Sequence, residues 1–108
     1  MIIKHLNDFT RGWLIGDFEP TLLRTKDFEV GVLSHKAGEV WPEHIHMIAE
    51  EYNILLDGFM SVNDKNFSPG DVFVVRKGEL AKPVFHTDCR VLVIKVPSVI
   101  GDKYIHEV

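Results

Sequence analysis

The sequence predicts an all-β protein, a sandwich or barrel of short strands. Three observations carry that expectation. Short runs of β-branched and aromatic residues recur along the chain, clusters of Gly, Pro, Asn, Asp and Ser separate them, and helical periodicity is nowhere convincing. Residues 47–52 have some helical character, but the stretch is brief and bounded by strand signals.

The elements follow in order. Residues 28–34 are rich in Phe, Val and Leu and stop before Lys36, Ala37 and Gly38, so they read as a strand. Residues 51–56 read as another, ending at Asp57 and Gly58. Residues 59–62 and Lys65–Phe67 flank Asn63 and Asp64, residue types that tolerate the left-handed backbone a tight hairpin demands. Ser68, Pro69, Gly70 and Asp71 supply turn chemistry before a strand over Val72–Val75. A long late strand follows over Cys89–Val96.

Composition bounds the function classes. The chain has 108 residues, 45% of them apolar, and neither repeats nor linker-like stretches divide it, so one domain over residues 1–108 is expected. The net charge of −4 and the lack of a Lys/Arg stripe interleaved with aromatics argue against nucleic acid as a partner. The apolar run at residues 1–8 is too short for a signal segment, and Lys95 interrupts the longest later run; the expectation is a soluble, cytoplasmic protein with no membrane partner. Cys89 is the sole cysteine, which excludes an intrachain disulfide and a multi-cysteine zinc site. On an apolar strand it is expected to be an inert small hydrophobe. Asn66, Phe67 and Ser68 match a glycosylation sequon, here taken as chance.

The residues that point to chemistry are His44 and His46, one residue apart. On a strand the side-chain period is two, so both imidazoles face one way and can share one metal ion or one substrate. Glu51 opens the next strand, where residues 51, 53 and 55 share a face, and Asn53 therefore offers its amide beside Glu51. Glu50 is the adjacent alternative of opposite parity; Glu51 is preferred. Two imidazoles and a carboxylate suit divalent iron, manganese, nickel or zinc and leave about three positions open in an octahedral ion.

Secondary candidates surround that trio. Arg76 and Lys82, with Lys77, are candidates to hold a phosphate or carboxylate of the ligand, against a plainer role as a solvated basic loop. His86 is a further ligand-binding candidate, although residues 81, 83 and 85 share the opposite face unless Pro83 introduces a bulge. His35 is placed at the cavity or its rim, the rim being preferred, and Trp13 and Trp41 can stack on a ring or fill core. His5 and His106 carry no expectation. Tyr52, Ile54 and Leu56 form a second apolar face on the strand of Glu51, which favours a homodimer that covers it.

These residues carry a resemblance. Gly38, five residues, His44, one residue, His46, four residues, Glu51, six residues and Gly58 together resemble the first motif of the cupin superfamily without a gap. Gly70 and Asp71, then Arg76, Lys77 and Gly78, resemble the start of the second motif. That second match departs from the family: Arg76 stands where proline is usual, Ala81 where a third histidine is usual, and Phe85 where asparagine is frequent. The resemblance spans about residues 28–97 and implies a small double-stranded β-helix, a jelly-roll barrel, with His44, His46 and Glu51 as metal ligands and one family ligand missing. It implies a cupin that binds and transforms a small polar metabolite at a divalent metal. Two other classes stay open: a metal-free sugar or sugar-nucleotide isomerase or epimerase, and a non-catalytic ligand-binding module.

Overall fold

A computed structural model describes residues 1–105, which leaves His106 outside the described residues. Among the described residues the strands are β1 (Trp13–Ile15), β2 (Glu29–His35), β3 (His44–His46), β4 (Glu50–Asp57), β5 (Met60–Val62), β6 (Lys65–Phe67), β7 (Val72–Val75), β8 (Leu80–Ala81), β9 (Pro83–Phe85), β10 (Cys89–Val96) and β11 (Lys103–Ile105). They form a five-stranded sheet in the order β1-β2-β10-β4-β7 and two three-stranded sheets, β11-β3-β8 and β6-β5-β9. Every strand-to-strand pairing is antiparallel. The architecture is an all-β double-stranded β-helix, as the sequence predicts.

The five-stranded sheet shows how the alternation builds an interior. In the central ladder Val91 pairs with Leu33 and Leu55, and Val93 pairs with Gly31 and Asn53. These rows face inward: Leu55, Val91 and Val93 are buried and belong to one apolar cluster with Met60, Val62, Val75, Ala81, Phe85 and Cys89 from the other strands. Cys89 is buried there, as expected of an apolar-strand thiol. The intervening positions, Tyr52, Leu56 and Val74 among them, stay exposed on the outer side. At Gly31 the absent side chain lets the Trp13 ring lie against the sheet, since a Cβ there would come within 2.6 Å of it.

Two loops fix the ends of the strands around the interior. Asn63 and Asp64 turn the β5–β6 hairpin with φ of 51° and 64°, the left-handed pair their residue types predict. Of residues 47–52, where the sequence has some helical character, residues 50–52 open β4 and residues 47–49 form no helix because the buried carboxylate of Asp102 captures their backbone. It accepts the N–H groups of Met47, Ile48 and Ala49 at 2.8–3.1 Å. That capture ties the segment before β11 to the turn between β3 and β4. Among the described residues no helix is long and apolar enough to cross a membrane.

Gly58 closes β4 with φ of 89°, and a Cβ there would sit 2.1 Å from the Asp88 carbonyl oxygen. Gly70 has a similar φ of 95° but open space around it. Denaturant unfolding should therefore separate the two: Gly58→Ala is expected to lose about 3 kcal/mol or more, and Gly70→Ala about 1–2 kcal/mol for the left-handed backbone alone.

Candidate functional site

The sheets enclose a cavity of about 590 Å³, and β3 supplies its polar end. His44 and His46 are 8% and 5% exposed and line the cavity, with the intervening Ile45 turned away, so the period of two holds over this short strand. Their rings meet edge to face with centroids 5.1 Å apart. Across the ladder His44 pairs with Ala81 of β8 and His46 with Lys103 of β11. Ala81, at the usual third-histidine position, thus also lines the cavity, and its methyl group adds no donor.

β4 brings the carboxylate. Glu51 Oε2 lies 3.3 Å from His46 Nε2. Burial pushes the Glu51 carboxyl up, but the hydrogen bond from His46 and the charge of Lys95 outweigh burial and hold it below the usual carboxylate range. Burial pushes His44 the other way, below the ordinary imidazole value, against the opposing effect of its hydrogen bond to Pro42. His44 Nδ1–H donates to the Pro42 carbonyl at 3.2 Å, which leaves the Nε2 lone pair free for the cavity. Asn53 is 4% exposed and lines the cavity, its amide donating to the Glu51 carbonyl at 3.3 Å. Glu50, the alternative of opposite parity, instead takes the Tyr52 hydroxyl and faces Arg76 at 3.8 Å.

Two lysines complete this end, and sequence inspection gave neither a role. Lys95 pairs with Glu51 across the β10–β4 ladder and lines the cavity, its ammonium 5.0 Å from the Trp13 ring centroid. The signal was present: Lys95 shares parity with the inward Val91 and Val93. Lys103 also lines the cavity, its Nζ 3.8 Å from the Trp41 ring centroid. Partial burial, and then the charge of Lys95, lower its pKa. Nothing in the local sequence marks Lys103, because its inward place depends on β11 pairing with β3.

The remaining candidates divide. Arg76 and Lys82 are largely exposed, face Glu50 and Glu43 at 3.8 and 3.9 Å, and lie outside the cavity lining. His86 is exposed as well. Pro83 makes no bulge, since Pro83, Val84 and Phe85 pair in unbroken register with Val62, Ser61 and Met60, so Phe85 takes the inward position and His86 the outward one. His86 borders a separate shallow pocket beside Phe59 and Asn66. His35, expected at the rim, lines the cavity, as do Trp13 and Trp41.

No protein-family model and no curated protein sequence matches this chain. Solved structures do match its fold. The crystal structure of the DMSP lyase DddQ from Ruegeria pomeroyi DSS-3 is similar with a TM-score of 0.70 and 20% identity, over 86% of this chain and 49% of that one. An uncharacterized conserved protein with a double-stranded β-helix domain from Klebsiella pneumoniae subsp. pneumoniae MGH 78578 is similar with a TM-score of 0.72 and 15% identity, over 98% of this chain and 92% of that one. The chain has the cupin fold. A third similar structure is the bacterial pirin YhhW in complex with nickel(II) from Escherichia coli, with a TM-score of 0.64 and 16% identity, over 82% of this chain and 39% of that one. This chain spans about half the length of the DddQ chain.

The donor set at the polar end of this cupin barrel fits a divalent ion in chemistry: two imidazoles, one with its tautomer fixed, and an ionised carboxylate. The 3.3 Å between His46 Nε2 and Glu51 Oε2 also matches neighbouring ligands, which lie roughly 3.0–3.4 Å apart when each is about 2.1 Å from one ion. The trio is not drawn together, however: among the described residues no three His, Cys, Asp or Glu side chains are gathered as around a metal. Closing the set requires a side-chain adjustment at His44 or Glu51.

The depressed pKa of His44 has a consequence for stability. The unfolded chain takes up that proton first as the pH falls, so the contribution is complete above the ordinary imidazole value and is lost below it. Thermal unfolding between about pH 7.5 and about pH 5 should show wild type losing stability and His44→Gln losing less over the same interval.

Proposed function

We propose that this protein binds a small polar metabolite inside its barrel and acts on it at the end formed by His44, His46 and Glu51. The observation that carries the proposal is that these three groups line one cavity together with Asn53, Lys95 and Lys103, beside apolar residues such as Val75, Val91 and Val93. Buried charge is costly unless it is compensated, and the two lysines beside Glu51 favour a ligand that itself brings negative charge, a carboxylate or phosphate. Lys95 and Lys103 take over the anion-holding role expected of Arg76 and Lys82.

The proposal includes a divalent transition metal, iron, manganese, nickel or zinc, held by His44, His46 and Glu51. When bound, such an ion would polarise a ligand oxygen as a Lewis acid. The free Nε2 of His44 and the His46–Glu51 separation support this form, and the nickel(II) complex of the similar pirin supports the capacity of the fold for a metal. Ala81 and the ungathered trio favour a second form, in which the same imidazoles and carboxylate move protons on a sugar-type ligand without metal. The proposal extends to a cytoplasmic homodimer in which a second copy covers the outer face carrying Tyr52, Leu56, Val72 and Val74.

Metal analysis of protein purified without chelator separates the two forms. The metal form expects about one equivalent of a transition metal in wild type and about a tenth or less in a His44→Ala, His46→Ala double variant; equal, near-zero contents in both support the metal-free form. Thermal unfolding with added citrate or phosphate tests the anionic ligand: the midpoint should rise for wild type, and Lys95→Ala should lose that rise.

A further inference from the structure

The cavity holds a second cluster of ionisable groups besides His44, His46 and Glu51. β2 ends at His35, and the turn that follows brings the chain back, with the Glu39 N–H donating to the Lys36 carbonyl at 3.0 Å and the Gly38 N–H to the Phe85 carbonyl at 2.9 Å. The turn delivers the Glu39 carboxylate to the His35 ring. Glu39 Oε2 accepts the His35 Nδ1–H at 2.7 Å and also the Trp41 Nε1–H. The hydrogen bond from Trp41 and then that from His35 hold Glu39 below the usual carboxylate range.

An ionised carboxylate only accepts, so Nδ1 carries a hydrogen, and in the neutral form of the ring the lone pair is on Nε2. The ring itself is clamped, stacked on Phe85 at 4.2 Å and edge-on to Trp41 at 5.6 Å. Nε2 has no hydrogen-bond partner among the described residues, and no sealed side-chain nitrogen or oxygen there lacks one. It is therefore open, and His35 lines the cavity.

We propose that His35 Nε2 is a proton-transfer base for a carbon acid bound in this cavity, a small carbonyl compound, with Glu39 as its positioning residue. The proposal rests on the small-molecule reading above and holds for both of its forms. Nε2 takes the proton from the carbon next to the carbonyl, and the C–H electron pair moves onto the carbonyl oxygen as an enolate. The imidazolium keeps its Nδ1–H on Glu39 and then returns the proton to the same carbon or, in an α-hydroxy carbonyl ligand whose hydroxyl proton passes to the enolate oxygen, to the former carbonyl carbon, which restores neutral His35. The cycle isomerises or epimerises the ligand with no oxidant or reductant. Lys95 and Lys103, on the same cavity, supply positive charge for the enolate oxygen.

The probe is 5-nitrobenzisoxazole, a flat carbon acid. Removal of its C3 proton sends the C–H electrons into a nitrile as the N–O bond breaks, releasing a coloured phenolate. Quenching of tryptophan fluorescence reports binding independently of turnover. Wild type should show saturable binding and turnover, and His35→Phe, which keeps the aromatic stack, should lose about a hundredfold in kcat while still binding the probe. Glu39→Gln should lose about tenfold in kcat with KM unchanged, a split that a purely structural staple would not produce. His86→Ala, outside the cavity, should match wild type. Long-range 15N–1H spectra of wild type should show His35 as the Nδ1–H tautomer, which tests the geometry without any variant. Binding without turnover, turnover within about twofold of wild type in His35→Phe, or an Nε2–H tautomer would overturn the dyad. Absence of saturable binding would instead overturn the small-molecule reading beneath it.

Discussion

The alternation of side chains across β3, β4 and β10 is the constraint on which the rest of this molecule depends. It sends His44, His46, Glu51, Asn53 and Lys95 into the barrel on the same side as Leu55, Val91 and Val93. A one-residue slip would exchange the inward residues of the slipped strand for Ile45 in β3, Tyr52 and Ile54 in β4, or Ile94 in β10. Burying so many polar groups costs several kcal/mol unless each finds a partner. Each does: His44 has the Pro42 carbonyl, His46 has Glu51, and Asn53 has the backbone of its own strand. The apolar cluster around Leu55 carries the stability that this polar end does not.

The long, regular strands were legible in the sequence because their signal is local. β2, β4, β7 and β10 fall where alternation and turn residues place them, and the left-handed Asn63 and Asp64 confirm the hairpin chemistry that flanks the short β6. β1, β8, β9 and β11 have two or three residues each, too few for a period to be counted, and they exist because distant strands offer them ladders. The buried Asp102, which holds residues 47–49 away from a helix, acts across more than fifty positions and has no local signature.

The site divides along the same line. His44, His46, Glu51 and Asn53 were legible because two neighbouring strands with a fixed parity decide where they point. Arg76, Lys82 and His86 were misplaced because the degraded second motif offers charge but no alternation that aims inward; parity sends His86 out, and the two basic chains reach solvent and nearby glutamates. Lys103 and the His35–Glu39 contact depend on pairings made only in three dimensions. The cavity that results has one ionised carboxylate held by histidine and lysine and a second held by histidine and tryptophan. Its apolar walls strengthen each of these interactions by excluding water.

The most direct test of this account asks whether the paired histidines face the interior or the solvent. Imidazole ring signals can be recorded by NMR with a soluble paramagnetic gadolinium chelate that broadens only nuclei near bulk water. The account predicts that the rings of His44 and His46 keep their linewidths while those of the exposed His5 and His86 broaden. Broadening of His44 and His46 to the same extent as His5 would place them on the outside of the barrel and contradict the account.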